Sequence, residues 1–291
     1  MSEPPRTAVV CDSTSYLPAA LRAEQSIDEV SLYVTLGGEQ KREIEIDDYG
    51  AFFGKLRESE QGATTSQPSV GDFIAVYQPH LDAGHGIASI HLSSAISGTF
   101  EAANQARDRL IEEGTDPGRI HVYDSRSACG GMGMTVLAAC RAAAGGSDAA
   151  EAVAAAASAR TELEMWFAVD TLEYLRKGGR IGAARAWLGS ALQIKPILTL
   201  DEEVTPVERV RTRRRAFERL MKYARELKES GRDGWVVQHI QDPENAQRLA
   251  AEAREVFGTD PAFISEIGPV IGAHTGPGLL GIGGLPSRHL P

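Results

Sequence analysis

The 291-residue chain is poor in cysteine, in aromatic residues (6%) and in positive charge, and each shortage closes off a class of function. Cys11, Cys129 and Cys140 are too few and too scattered for a disulfide framework. They form no CxxC pair that would suggest zinc, and their odd number fits a reducing cytosol. Lys and Arg number 30 against 40 Asp and Glu, a formal net charge of −10 with a pI of about 5.3. Such a balance argues against nucleic acid as the main partner and against adsorption to an anionic membrane, because both draw on surplus cations. No stretch approaches the roughly 18 uninterrupted apolar residues that would span a bilayer. The start, Met1-Ser2-Glu3-Pro4-Pro5-Arg6, lacks the apolar h-region of a signal peptide. A soluble, cytoplasmic protein without stable membrane insertion is expected.

Nucleotide and hydrolase signatures are also missing. There is no Walker A loop, no HExxH and no GxSxG. Gly276-Pro277-Gly278-Leu279-Leu280-Gly281 does spell GxGxxG. A dinucleotide fingerprint must open a helix inside a βαβ unit, with an acidic residue about twenty positions on. The chain stops too soon after Gly281 for that, and Pro286 and Pro291 lie in what remains, so the match is accidental.

What is present is an alternation of short apolar runs and amphipathic stretches over a length that suits two domains. Strands are predicted at 8–11, 31–36, 87–92 and 120–123, with helices at 47–58, 69–81, 99–113 and 131–144. That order is the mark of a parallel sheet with helices on both faces. A boundary is expected near 145–158, where Gly145-Gly146-Ser147-Asp148 precedes an Ala-rich run of high helix propensity. Beyond it, strands at 166–169, 195–199, 205–210, 235–240 and 263–267 alternate with helices at 172–177, 183–192, 214–229 and 243–256. The hairpin signal at Asp201-Glu202-Glu203 makes this second sheet partly antiparallel. The expected fold class is therefore α/β. A Rossmann-like parallel-sheet domain over residues 1–158 is followed by a smaller α+β domain over 159–291 with a mixed sheet, and a ligand sits at their interface.

Polar clusters fall at predicted carboxyl ends of strands, where open sheets gather ligands: Asp12-Ser13-Thr14, Ser93-Ser94 and Asp124-Ser125. Each also reads as a helix cap. An aspartyl-phosphate phosphatase would place a second Asp two residues beyond Asp12, where this chain has Thr14.

Five stretches, in order, carry a resemblance. They are Val10-Cys11-Asp12-Ser13-Thr14, Thr65-Ser66-Gln67-Pro68-Ser69, Leu92-Ser93-Ser94-Ala95-Ile96-Ser97-Gly98-Thr99, Leu172-Glu173-Tyr174-Leu175-Arg176-Lys177-Gly178-Gly179-Arg180-Ile181-Gly182, and Gly272-Ala273-His274-Thr275-Gly276-Pro277-Gly278. In this order and spacing the chain resembles the DegV family of bacterial fatty-acid-binding proteins over nearly its whole length. The resemblance implies a carrier rather than an enzyme, with no cofactor and a fatty acid such as palmitate, stearate or oleate as ligand. It implies that Thr65, Ser97 and His274 hold the carboxylate. It also implies a partner, a dihydroxyacetone-kinase-like fatty-acid kinase that phosphorylates the bound acid for phospholipid metabolism.

These residue types suit the task. A carboxylate buried in an apolar cavity needs donors, and donors to a charged acceptor form the stronger hydrogen bonds. Two hydroxyls and an imidazole N–H supply three and leave the carboxylate nucleophilic, where an Arg fork would quench it. Acyl burial at roughly 0.8 kcal/mol per CH₂ would outweigh the head-group cost. Taken singly, Ser97 and Thr65 also read as helix-start or turn residues and His274 as a turn residue. The alternative function is a serine-type acyl hydrolase using Ser97 and His274, for which Asp12 is the one candidate orienting carboxylate. The basic run Arg209, Arg211, Arg213, Arg214 and Arg215 reads either as a solvated strand end and helix start or as a docking patch for an acidic kinase partner.

Overall fold

The computed structural model describes residues 7–188, 194–201 and 203–291. The first six residues, where a signal peptide was sought, lie outside the described residues, as do Glu202 of the expected hairpin and 189–192 of the helix expected at 183–192. The first part of that helix is a 3-10 helix, Gly182–Trp187.

β1 (Thr7–Asp12) leads through α1 (Ala19–Glu24) to β2 (Ile27–Val30). A small antiparallel sheet follows: β3 (Tyr33–Leu36), β4 (Glu39–Arg42) and, after α2 (Tyr49–Glu58), β5 (Ala63–Ser66), in the order β4-β3-β5. The chain then runs α3 (Val70–Asp82), β6 (Gly86–His91), α4 (Thr99–Glu112), β7 (Ile120–Asp124), α5 (Cys129–Ala144) and α6 (Ala149–Glu162). The first main sheet is parallel, β2-β1-β6-β7, with α3 and α4 on one face and α5 and α6 on the other. Its alternation was legible because β1 and β6 are buried on both faces and bounded by capped helices; Ser69 and Asp72 form a reciprocal capping box at α3.

The second half comprises β8 (Glu164–Ala168), α7 (Glu173–Lys177), β9 (Lys195–Leu200), β10 (Val204–Val210), α8 (Arg213–Glu229), β11 (Gly234–His239), α9 (Pro243–Phe257), β12 (Phe263–Glu266), α10 (Pro269–Thr275) and β13 (Leu280–Leu285). The strands form a six-stranded sheet, β10-β9-β8-β13-β11-β12, antiparallel except for the parallel pair β11 and β12. α8 and α9 cover one face, and α5 packs on β11 and β13 from the other. α5 therefore lies between the two main sheets and is buried from Gly130 to Cys140. Glycine permits this: a Cβ on Gly133 would lie 3.1 Å from the Phe263 ring and 3.3 Å from the Ser15 carbonyl.

Several expectations are corrected. Residues 31–36 are not one strand: the chain turns at Ser31–Leu32, where the Ser31 hydroxyl donates to the Leu32 carbonyl (2.8 Å) and accepts from the Ile44 amide (3.4 Å). The strand then continues in a different sheet. Residue 158 falls inside α6, which packs on β6 and β7 and buries Ala149, Ala152, Ala156 and Ala159. α1, β2, β4, β5, α10 and β13 were not anticipated. β13 is glycine-rich, which depresses strand propensity. Its glycines are required by crowding, since a Cβ on Gly283 would lie 2.7 Å from the Glu164 carbonyl oxygen. The GxGxxG match ends in this strand and opens no helix.

Candidate functional site

A mainly apolar cavity lies where the three sheets meet. Leu32 and Thr65 reach it from the small sheet, Leu92 and Ser97 from the first main sheet, and Phe167 and Leu279 from the second. Counting the open mouth, the space between its walls is about 1040 Å³.

The polar groups gather at one end. β5 pairs with β3, setting Thr65 opposite Val34, and α10 brings His274 to it from 209 residues away. Thr65 Oγ1 and His274 Nε2 are 2.8 Å apart. His274 is buried, and its Nδ1 has no hydrogen-bond partner. That nitrogen faces Gly178, where a Cβ would sit 2.1 Å from it. Gly276, at φ +76°, is similarly pressed on the Tyr174 ring, with a Cβ placed 2.2 Å from Cδ2. Two of the sequence stretches are thus glycine-rich because α7 and α10 meet there without room for a side chain.

Burial, reinforced by the nearby Arg180 charge, lowers the His274 pKa to about 4, so the ring is neutral near pH 7. A neutral ring carries one N–H. A buried N–H without a partner is rarer than a buried acceptor without one, which favours the proton on Nε2. Nε2–H then donates to Thr65 Oγ1, leaving the threonine proton free for an anion at the cavity mouth. In this arrangement His274 acts through Thr65.

Ser97 lies on the same cavity wall, but its hydroxyl is 2.9 Å from Thr99 Oγ1 and accepts weakly from the Thr99 amide (3.3 Å). Its cap-like role at α4 and its place in the cavity coexist. Gly98 keeps the wall tight, since a Cβ there would meet the Gln67 amide at 2.9 Å. Arg180 was quoted in the sequence motif but not assigned to the site. It lines the mouth beside His274, and its guanidinium donates to the carbonyls of Gly178 (2.7 Å) and Ile96 (3.3 Å). An arginine fixed to backbone supplies positive potential without a free fork. The only local clue was its place two residues after Gly178.

Nothing in this geometry favours the hydrolase. No hydrogen bond joins Ser97 to His274, and His274 Nδ1 has no carboxylate to orient it. Asp12 is committed elsewhere: its carboxylate accepts from the Leu92 amide (2.9 Å) and from the Thr14 amide and hydroxyl (3.0 and 2.6 Å), and it lies 3.1 Å from His91 Nδ1. A Ser–His–Asp array does exist, as Ser89, His91 and Asp12, but all three are fully buried, and the Tyr77 hydroxyl donates to Ser89.

The basic run is dispersed. Arg209 lies over the Trp187 ring at 5.2 Å, Arg213 pairs with Asp170, and Arg214 and Arg215 pair with Glu218. Arg211 stands exposed at the start of this corner. Much of the run is therefore used in local ion pairs and stacking.

Among the described residues no cluster of three or more His, Cys, Asp or Glu has a metal-binding arrangement, and no helix is long and apolar enough to cross a membrane.

The DegV family model, that of an uncharacterised protein family, matches residues 6–287. A DegV domain-containing protein of Streptomyces coelicolor is 39% identical over 281 residues, which is 94% of this chain and 96% of the relative. Among solved structures, a DegV family protein from Thermus thermophilus, characterised by its fatty acid binding, superposes with a TM-score of 0.86. It is 36% identical, over 97% of this chain and 99% of its own. DegV from Bacillus subtilis, a fatty acid binding protein, superposes with a TM-score of 0.84 at 33% identity over 97% and 99% of the two chains.

Proposed function

The chain belongs to the DegV family, and from that premise we propose that it binds one long-chain fatty acid, with the acyl chain in the apolar cavity and the carboxylate at the Thr65–His274 end. The observation that carries this reading is that hydrogen-bonded pair, placed at the rim of a cavity walled mainly by apolar side chains. The similarity to the Thermus thermophilus and Bacillus subtilis fatty acid binders supports it. Ser97 contributes a second hydroxyl by turning from Thr99 toward the ligand. The Thr65 and Ser97 hydroxyls are the neutral donors, with His274 holding Thr65 from behind, so the bound carboxylate keeps its nucleophilicity.

The carrier presents that carboxylate to a separate fatty-acid kinase. One carboxylate oxygen attacks the γ-phosphorus of ATP, and ADP departs with the electron pair of the cleaved P–O bond. An acyl phosphate forms, and no proton need move. A triphosphate cradle takes a glycine-rich anion loop, which the sequence does not contain, so turnover belongs to the partner. Exposed cations at the β10–α8 corner, Arg211 foremost, suit an acidic face of that partner.

The test is organic extraction of the purified protein followed by mass spectrometry. About one equivalent of a long-chain fatty acid is expected, since its buried CH₂ groups each contribute roughly 0.8 kcal/mol. An empty extract combined with no uptake of added palmitate or oleate would overturn the reading.

A further inference from the structure

β11 is buried on both faces, and strands of that kind read as continuous apolar runs. Gln238 breaks the run of Trp235, Val236 and Val237, on the face that looks toward α5, and no part of it is exposed. Its Oε1 accepts from the Gly130 amide in the first turn of α5, and its Nε2 donates to Ser265 Oγ at 2.8 Å. The Gly130 N–H must meet an oxygen, which fixes the orientation of the carboxamide. A carboxamide has two N–H bonds to give, so one is left over. Ser127 stands against the same helical turn. A Cβ on Gly130 would meet Gln238 Oε1 at 2.8 Å, and a Cβ on Gly131 would meet Ser127 Oγ at 2.2 Å. Ser127 is 4% exposed; its amide and carbonyl are engaged by Ser125, but its hydroxyl has no hydrogen-bond partner among the described residues. Ser127 and Gln238 both line the apolar cavity. Neither lines the cleft that opens beside Thr65, Arg180 and His274, so they belong to the inner wall, away from the head group.

We propose, resting on the fatty-acid reading above, that Ser127 and Gln238 form a polar subsite in the inner wall and that the preferred ligand carries a neutral oxygen, as a hydroxyl or an oxo group, along its acyl chain. Buried polar groups are normally hydrogen-bonded, and a plain hydrocarbon passing this wall would leave both residues with an unspent donor. An oxygen on the chain would accept from them. The helix adds to the same preference: α5 is 16 residues long, Ala128 gives its first turn no side-chain cap, and the positive end of its dipole lies at this wall. Charge separates a neutral oxygen from a second carboxylate. Arg180 is the only Asp, Glu, Lys or Arg that lines the cavity among the described residues, and it stands at the mouth. An anion at the inner wall would therefore lie buried without a counter-charge, whereas a hydroxyl or carbonyl oxygen needs only the donors present.

The experiment measures displacement of a fluorescent fatty acid by stearate and by a positional series of hydroxystearates and oxostearates. The wall is fixed relative to Thr65, so affinity should peak over a short range of chain positions. There the oxygenated acid should bind about tenfold tighter than isomers oxygenated far to either side, the effect of one or two net hydrogen bonds. Ser127→Ala should flatten the peak and leave stearate binding as in wild type, which also reports that the variant is folded. Should that variant fail to fold, the positional series on wild type decides alone. A series without a peak, or a peak that survives both Ser127→Ala and Gln238→Met, would overturn the subsite while stearate binding keeps the fatty-acid reading intact. Failure of stearate and of every oxygenated acid to bind would overturn both.

Discussion

Two buried histidines divide this molecule. His91 sits at the end of β6 with both ring nitrogens engaged, Nδ1 toward Asp12 and Nε2 toward Ser89 at 2.7 Å, and no part of it reaches solvent or a cavity. It belongs to a more complete catalytic-looking array than any other described, yet no substrate can reach it. His274 has one partner, a threonine, and an unpaired second nitrogen, and it borders an open, mainly apolar cavity. A closed network spends its hydrogen-bonding capacity on the fold, whereas an open one leaves a proton to offer. Access and unspent donors, rather than residue types in triad order, mark the candidate site.

The sharpest test removes the closed network. Asp12→Ala orphans the Leu92 amide, the Thr14 amide and hydroxyl, and His91. It should cost roughly 3–5 kcal/mol of stability, the range for breaking a buried polar pair, in urea denaturation. The folded fraction should still carry lipid. Stability within a few tenths of a kcal/mol of wild type would show that the array is not structural.

A second test uses pH to set His274 against a buried carboxylate. Glu43 braces α10, which carries His274: it accepts from Ser13 Oγ (2.6 Å), Tyr16 OH (2.8 Å) and the Val270 amide (2.7 Å). Burial raises its pKa from 4.5 to about 7. The folded state therefore holds this proton more tightly than the unfolded one, and stability falls as pH rises from 4.5 through 7. For His274, lowered from 6.5 to about 4, the unfolded state takes up the proton first, so stability falls as pH drops through that window. The two slopes oppose each other. Glu43→Gln should steepen the loss of stability on acidification and His274→Ala the loss on going alkaline, each by up to roughly 3 kcal/mol across the window. Unfolding titrations between pH 4.5 and 7.5 read both, and parallel curves for the two variants would refute the assignment.

The head group is expected to respond more gently. Thr65→Ala, His274→Ala and Ser97→Ala should each weaken carboxylate binding by roughly 1–3 kcal/mol, as for hydrogen bonds to charged groups, while acyl-chain burial persists. Ser97 should lie at the low end, because its hydroxyl must leave Thr99 to serve the ligand. If all three variants carry phosphorylatable acid as well as wild type, the site lies elsewhere. Smallest of all, neutralising Arg211, Arg213 and Arg214 should leave lipid content unchanged and lower only acyl-phosphate yield with a cognate kinase, trapped with hydroxylamine. Because Arg213 also pairs with Asp170, Arg211→Ala alone separates docking from loss of that pair.

Local pattern decided a good deal by itself. The short apolar runs and capped amphipathic stretches specify β1, β6 and β7 of the parallel sheet and the helices α3 to α6 around it, because burial on both faces and capping are short-range requirements written into adjacent residues, whereas β2 was not read from the sequence. The motifs containing Thr65, Ser97 and His274 were visible as letters. Their relation was not. β5 has too short a run to signal a strand, α10 is seven residues long, and β13 reads as glycine-rich loop until β8 is seen packed against it. Which histidine is sealed and which opens on a cavity depends on contacts such as Thr65 with His274 and Glu43 with Val270, 209 and 227 residues apart in the chain. Such contacts leave no periodic trace in the sequence. They arise only when glycine-rich segments of α7 and α10 pack at distances that no side chain would permit, and so the tertiary structure alone decided them.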